Sequence, residues 1–193
     1  LRELHSHNVL FFNSTCGGYY SILYRAIFRA NFVQDNMDKV ADLSQADKDR
    51  MTGEIKFIRG LCHFTAVRMF AHPYGYSAKN DHPGIAIVKA ASTKPSPRLT
   101  VAEAYDAILS DLKDAETNLP ESNGDYADKM SAKALLAHVY FQMGKYTDAA
   151  TYASSVIDSK KYTLSDTVNV FSSDASSEHI FKIVSTGIND KRS

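Results

Sequence analysis

The chain has 193 residues, 44% of them hydrophobic, which is enough to bury one sizeable core. Lysine plus arginine and aspartate plus glutamate number 22 each, so no net charge gathers phosphates or anionic lipid, and nucleic acid is disfavoured as a partner. The longest apolar stretches, Val9–Phe12 and Ala134–Ala137, fall far short of the roughly 20 residues a membrane-spanning helix needs.

From Tyr19 onward, Ile22, Leu23, Ala26, Ile27, Ala30, Val33, Met37 and Val40 recur at steps of three and four, which predicts a first helix over about 19–40. A second is expected over about 45–71, with Ser44 capping its free amides and Asp47 at its positive end. Its apolar stripe reads Met51, Ile55, Ile58, Cys62, Thr65 and Met69. Pro73 and Gly75 then stop the helix. The segment from His72 to Arg98 carries four of the five prolines and reads as a long loop, with an apolar island at Ile85–Val88 expected to lie flat against the core.

Thr100 followed by Glu103 forms a capping box that opens a third helix over about 100–118, closed by Leu119 and Pro120. A fourth is expected over about 130–143, ended by Gly144 in a left-handed conformation, and a fifth over about 146–158. The alternation at His179–Val184 predicts a short strand near the C-terminus. The start at Leu1, with no basic n-region, apolar h-region or lipid-attachment cysteine, implies that any targeting segment was removed or never present. The polar ending Gly187–Ser193 suggests a chain that continues further. Residues 1–193 are read as a single domain. Cys16 and Cys62 sit in no metal or redox motif, with Cys62 expected as a small core residue and Cys16 as exposed.

Leu136, Ala137, Tyr140, Gly144, Tyr146, Ala149, Ala153 and Val156 have the sizes and spacings of a tetratricopeptide helix pair. Small residues at Ala137 and Ala149 let two antiparallel helices approach, Tyr140 and Tyr146 are expected to fill the groove between them, and Gly144 permits the turn. The fold class is therefore all-α, a tetratricopeptide-like helical repeat with long loops.

Several segments, in chain order, resemble the SusD/RagB family of surface glycan-binding lipoproteins. They are Tyr24, Ile27, Arg29, Ala30 and Asn31 in YRAIFRAN, then Glu54, Phe57, Ile58, Arg59 and Phe64 in GEIKFIRGLCHF. Arg98, Thr100, Glu103, Tyr105, Ile108, Asp111, Leu112 and Ala115 in RLTVAEAYDAILSDLKDA follow, then Leu119, Pro120 and SAKALLAHVYFQMGKYTDAA. The resemblance spans about 20–183. It implies a helical-repeat scaffold that carries a glycan surface and docks on a SusC-like TonB-dependent transporter of the outer membrane. It also implies membrane association through a lipid anchor absent from this chain. Family members often have Trp where this chain has Tyr20, which still offers an aromatic face with a polar tip. The chain also departs from the family at Gly60 and at Ala71-His72-Pro73.

Most of the quoted polar residues read as structural. Arg59, Glu54 and Asn31 are expected to tie helices together, since a buried charge requires a partner. The segment before the first helix differs, because His5, His7, Asn8, Phe11, Phe12, Asn13, Tyr19 and Tyr20 gather aromatic faces and hydrogen-bonding groups, the combination a neutral sugar needs. Phe11 and Phe12 fit equally well as cover for the edge of the core. His72, Tyr74, Tyr76 and Asn80 form a second cluster on the long loop. Candidate ligand contacts are Tyr19, Tyr20, His7, Asn13, Tyr74 and Tyr76. There is no GxSxG, HExxH or phosphate-cradling glycine loop, and His5 with His7 lacks a matching further ligand. No catalytic residue, metal or cofactor is expected. The leading expectation is capture of an oligosaccharide for a partner transporter, and the alternative is a helical-repeat scaffold that holds a peptide or protein.

Overall fold

The computed structural model describes residues 13–164 and 177–183. Among these, five α-helices and one antiparallel pair of strands occur in the order α1 (Ser14–Asn36), α2 (Gln45–Phe70), β1 (Pro83–Ala86), β2 (Arg98–Thr100), α3 (Val101–Asn118), α4 (Lys129–Gln142) and α5 (Tyr146–Asp158). The chain divides into two compact units, one of Leu1–Asp42 and Ile58–Ile108, the other of Leu43–Phe57 and Leu109–Ser193. His5, His7, Asn8, Phe11 and Phe12 lie outside the described residues, as do Val184 and the tail Gly187–Ser193.

In the first unit, α1 starts five residues before the position its periodicity predicts. The reason is local: the Asn13 side chain accepts a hydrogen bond from the Cys16 amide at 2.9 Å, and this cap carries the helix through Gly17 and Gly18. The helix ends at Asn36, and a single 3-10 turn, Met37–Lys39, follows. Its buried side is centred on Ile27 and Asn31, whereas Ile22, Val33 and Val40 of the expected stripe are exposed. Apolar side chains surround this helix, with Phe28 and Phe32 also exposed, so spacing alone does not mark the buried side.

Ser44 caps α2 as expected, accepting from the Asp47 amide at 3.1 Å. The expected stripe of α2 is too narrow. Phe57, Arg59, His63, Phe64, Ala66 and Val67 are all buried, while Met69 is exposed. A helix enclosed on several sides has no single apolar face to read. Cys62 is buried, and burial pushes its thiol up to about 11. Cys16 is half-buried rather than exposed, and both cysteines are free.

The segment after α2 is not structureless. β1 pairs with β2, with Pro83 opposite Thr100 and Ala86 opposite Arg98. Ile85 and Ala86 are buried, so the apolar island does lie against the core. Arg98 locks this pair to the end of α2, donating from Nε to the Gly84 carbonyl at 2.7 Å and from Nη2 to the Phe70 carbonyl at 3.1 Å.

Side chains of α1 and α2 hold the strap that follows β1. Tyr24 donates to the Ala86 carbonyl at 2.7 Å, and Asn31 donates to the carbonyls of Val88 at 3.0 Å and Ala90 at 3.3 Å. Asp35 accepts from the Ala91 amide at 2.8 Å, and His63 Nε2 accepts from the Val88 amide at 3.3 Å. Arg59, 1% exposed, donates to Asn31 Oδ1 at 2.9 Å, Gln34 Oε1 at 3.1 Å and the Lys89 carbonyl at 3.3 Å. The expected helix tie is therefore also a strap clasp, supplying donors to the main-chain carbonyls of Val88, Lys89 and Ala90.

The capping box at α3 forms as its sequence predicts. The Glu103 carboxylate accepts from the Thr100 amide at 2.9 Å and the Thr100 hydroxyl at 2.7 Å, and Thr100 Oγ1 accepts from the Glu103 amide at 3.2 Å. These bonds hold the Glu103 carboxyl below its ordinary range, the Thr100 hydroxyl being the largest cause. A depressed carboxyl contributes stability above its unfolded pKa and loses it as pH falls through its folded pKa. The wild-type chain should therefore melt above Glu103→Gln at neutral pH, and the gap should close on acidification. A gap unchanged once carboxylates are protonated would contradict this.

In the second unit, α4 and α5 form the helix pair. Leu136, Val139, Tyr140, Ala149 and Val156 are buried between or beside them, and Gly144 makes the turn at φ +73°. The groove is filled differently from expectation. Tyr140 stacks on Tyr152, with ring centroids 5.5 Å apart, whereas Tyr146 is exposed and meets Phe141. Tyr146 is the first residue of α5 and lies on its exposed side. The start of α4 is set by a second capping box, Asp128 with Ser131.

Gly53 of α2 also belongs to this unit. A Cβ there would come within 2.8 Å of Leu119 Cγ and 2.9 Å of the Leu119 amide nitrogen, so the chain near Leu119 requires glycine at 53. The alternation at 179–184 predicts a strand, but residues 179–183 form none. Phe181 packs edge-on against Phe57 at 5.0 Å, and Ser131 Oγ donates to the Ile180 carbonyl at 3.2 Å.

Candidate functional site

The candidate contacts that can be placed fall into two groups of the first unit. On α1, Tyr20 and Tyr24 are one turn apart and therefore share a face. Their rings stack at 4.3 Å with a 28° tilt, and Tyr20 meets the edge of Phe70 at 5.3 Å. Tyr24 in turn faces the His63 ring, 6.3 Å away. Burial is the main cause that raises the Tyr24 hydroxyl well above the ordinary phenol range, so it stays protonated and keeps donating to Ala86. Tyr20 is thus held from beneath by Tyr24 and from the side by Phe70, and is still 40% exposed. Tyr19 is 41% exposed beside it. Asn13 is part-buried at the start of the helix, with its side-chain oxygen engaged in the cap. His7 lies outside the described residues.

The second group is on the segment between α2 and β1. Tyr76 lies flat on His72, with centroids 4.2 Å apart and planes 9° from parallel, and both rings present an edge or face to His82 at 5.3 and 6.1 Å. His82 Nδ1 is 3.1 Å from Ser77 Oγ, which donates to Asp81 at 2.8 Å. Tyr76 is 63% exposed, a flat ring backed by another ring. Tyr74 is turned the other way. Its ring packs against Tyr105 at 5.0 Å, and Tyr105 packs against Phe64 at 6.2 Å. Burial pushes the Tyr105 hydroxyl up to about 12.

The segment gathers Tyr76 and His72 around His82, which the sequence reading did not single out. The positions 72, 76 and 82 have no common period, and only the turns of this segment bring the rings together. The missing signal at Tyr20 is similar, because its partner Phe70 is 50 residues away in the chain.

Such surfaces suit ligands with apolar faces and many hydroxyls. A backed tyrosine ring offers a flat apolar plate, while its hydroxyl and, beside Tyr76, the exposed His72 imidazole supply donors and acceptors at the rim. Among the described residues, no three His, Cys, Asp or Glu side chains are grouped to hold a metal. No helix among them is long and apolar enough to cross a membrane.

The pair α4–α5, closed by the short turn at Gly144 and carrying the tetratricopeptide residue pattern, makes this a tetratricopeptide-like helical protein. The chain belongs to the SusD-like family, described as starch-binding and associating with the outer membrane, whose profile matches residues 3–141. It is 30% identical over 143 residues to SusD-like protein P38 of Formosa agariphila, covering 73% of this chain and 26% of that protein. A SusD superfamily protein of Bacteroides fragilis shares the fold at a TM-score of 0.80 and 24% identity, over 93% of this chain and 43% of that one. A laminarin-binding SusD-like protein superposes at a TM-score of 0.65 and 25% identity, over 79% of this chain and 35% of that one. The chain spans about a quarter of the length of the curated relatives it matches.

Proposed function

We propose that this chain is the helical-repeat part of a cell-surface protein that captures an oligosaccharide and passes it to a SusC-like TonB-dependent transporter in the outer membrane. Its role is binding without bond-making. The observation that carries the reading is Tyr76, an exposed ring stacked flat on His72, with Tyr20 as a second backed aromatic on the same unit. The family's starch-binding description and the laminarin-binding neighbour point to the same ligand class. Outer-membrane association and a lipid anchor follow from family membership as part of this proposal.

The alternative, a scaffold that holds an extended peptide between its helices, meets an obstacle in the same unit. Tyr24, Asn31, Asp35 and Arg59 are the side chains suited to reading a peptide main chain, and they already bind the chain's own residues 86–91.

Titration of the chain with soluble laminarin and soluble starch tests the ligand assignment on α1. The double change Tyr19→Ala with Tyr20→Ala should weaken glycan binding about tenfold, the order expected for losing one exposed stacking ring. Unchanged glycan affinity with reduced binding to a transporter would remove both tyrosines from the ligand site and place them at the partner interface.

A further inference from the structure

We infer that Asn80 is the positioning residue of the Tyr76 platform, a role that rests on reading Tyr76 as a ligand contact. Asn80 is 7% exposed, far more buried than a loop asparagine between two exposed neighbours ordinarily is. Its backbone adopts φ +52°, in the left-handed region that L-residues other than asparagine and aspartate seldom enter. Two sets of bonds explain why that conformation is kept.

The first set closes the loop on itself. Asn80 Oδ1 accepts from the Gly75 amide at 2.5 Å, and the Asn80 amide donates to the Ser77 carbonyl at 3.1 Å. Gly75 has φ +88°, a conformation open to glycine, and Tyr76 follows it directly. The Tyr76 amide donates to the Pro73 carbonyl at 3.1 Å. The direction in which Tyr76 leaves the main chain is therefore fixed by the residue that Asn80 grips.

The second set fastens the closed loop to α3. The Asn80 carbonyl accepts from the Ala102 amide at 2.9 Å, and the His82 carbonyl accepts from the Val101 amide at 3.0 Å. These are amides of the first helical turn, which have no partner within the helix. One residue thus joins the turn that aims Tyr76 to the most firmly capped helix start in the unit. Holding a ring in its bound orientation before the ligand arrives removes the ordering cost from the binding step.

Two substitutions separate the parts of this role. Asn80→Gly keeps the positive φ but removes the acceptor, and Asn80→Asp keeps both. With laminarin and starch as probes, Asn80→Gly should raise Kd about tenfold, while Asn80→Asp should bind within about twofold of the wild type. In a Tyr76→Ala background, Asn80→Gly should change the affinity no further, because nothing is left to aim. A purely structural role would lower affinity equally in both backgrounds. Hydrogen exchange at the Gly75 amide of the wild-type chain gives a readout independent of any variant. Equal protection with and without glycan supports a preformed platform, and protection that appears only on binding overturns it.

The outcomes separate this role from the reading beneath it. No saturable binding by the wild-type chain, or binding untouched by Tyr76→Ala, overturns the platform itself. Binding that is weakened in Tyr76→Ala but equal to wild type in Asn80→Gly overturns the role of Asn80 alone.

Discussion

Replacing Tyr76 by alanine should weaken glycan binding between roughly ten- and a hundredfold while leaving the melting temperature close to that of the wild type. The ring is largely exposed and its one stacked partner is His72, so truncation removes the proposed ligand contact without opening a core cavity. A stacking ring contributes on the order of 1.5–3 kcal/mol when a ligand covers it, which corresponds to that range of affinity. Tyr74→Ala should behave in the opposite way. Its ring packs on Tyr105, so it should lower stability and affect affinity only through the fold. Titration calorimetry and thermal melts of both variants check the pair. Equal loss of affinity in the two variants, or none in either, would move the ligand away from this loop.

The second large effect concerns stability. Arg59→Ala should cost about 3 kcal/mol, which for a chain of this size lowers the melting temperature by roughly 10 °C. The guanidinium is buried, and its removal leaves a cavity together with the acceptors on Asn31 and Lys89 short of a donor. Arg59→Lys should recover less than half of the loss, because a single ammonium cannot reproduce a planar fork that spans α1 and the strap. A melting temperature within about 2 °C of wild type in Arg59→Ala would show that the clasp is dispensable.

The two predictions draw on parts of the molecule that the sequence displays very differently. Arg59 and Asn31 could be read directly as a polar tie, since a charge in the middle of an apolar helix must find partners. What could not be read is that its partners include the main-chain carbonyls of Val88, Lys89 and Ala90, because nothing in a loop's composition tells which carbonyl meets a distant side chain. The helix starts at Ser44 and Thr100, and the turn at Gly144, were legible because capping and left-handed glycine are local chemistry.

The beginning of α1 was not legible by periodicity, since Gly17 and Gly18 weaken the helical signal and only the Asn13 cap outweighs them. Strands of four and three residues are too short to show a period, and one of them begins at Pro83. The site was half legible. Tyr20 and Tyr76 stood out as aromatics, but their backing by Phe70, His72 and His82 depends on how the segment after α2 turns. That support separates them from Tyr74, which has the same chemistry and is packed inward.

A titration of the wild-type chain against laminarin, starch, an acidic polysaccharide and an extended peptide decides whether it presents a glycan-binding surface. The expected result is saturable binding to one glycan class and none to the peptide, with the glycan affinity lowered at least about tenfold in Tyr76→Ala. Saturable binding to the peptide alone, with every glycan silent, would overturn glycan capture and make the helices a protein-binding scaffold.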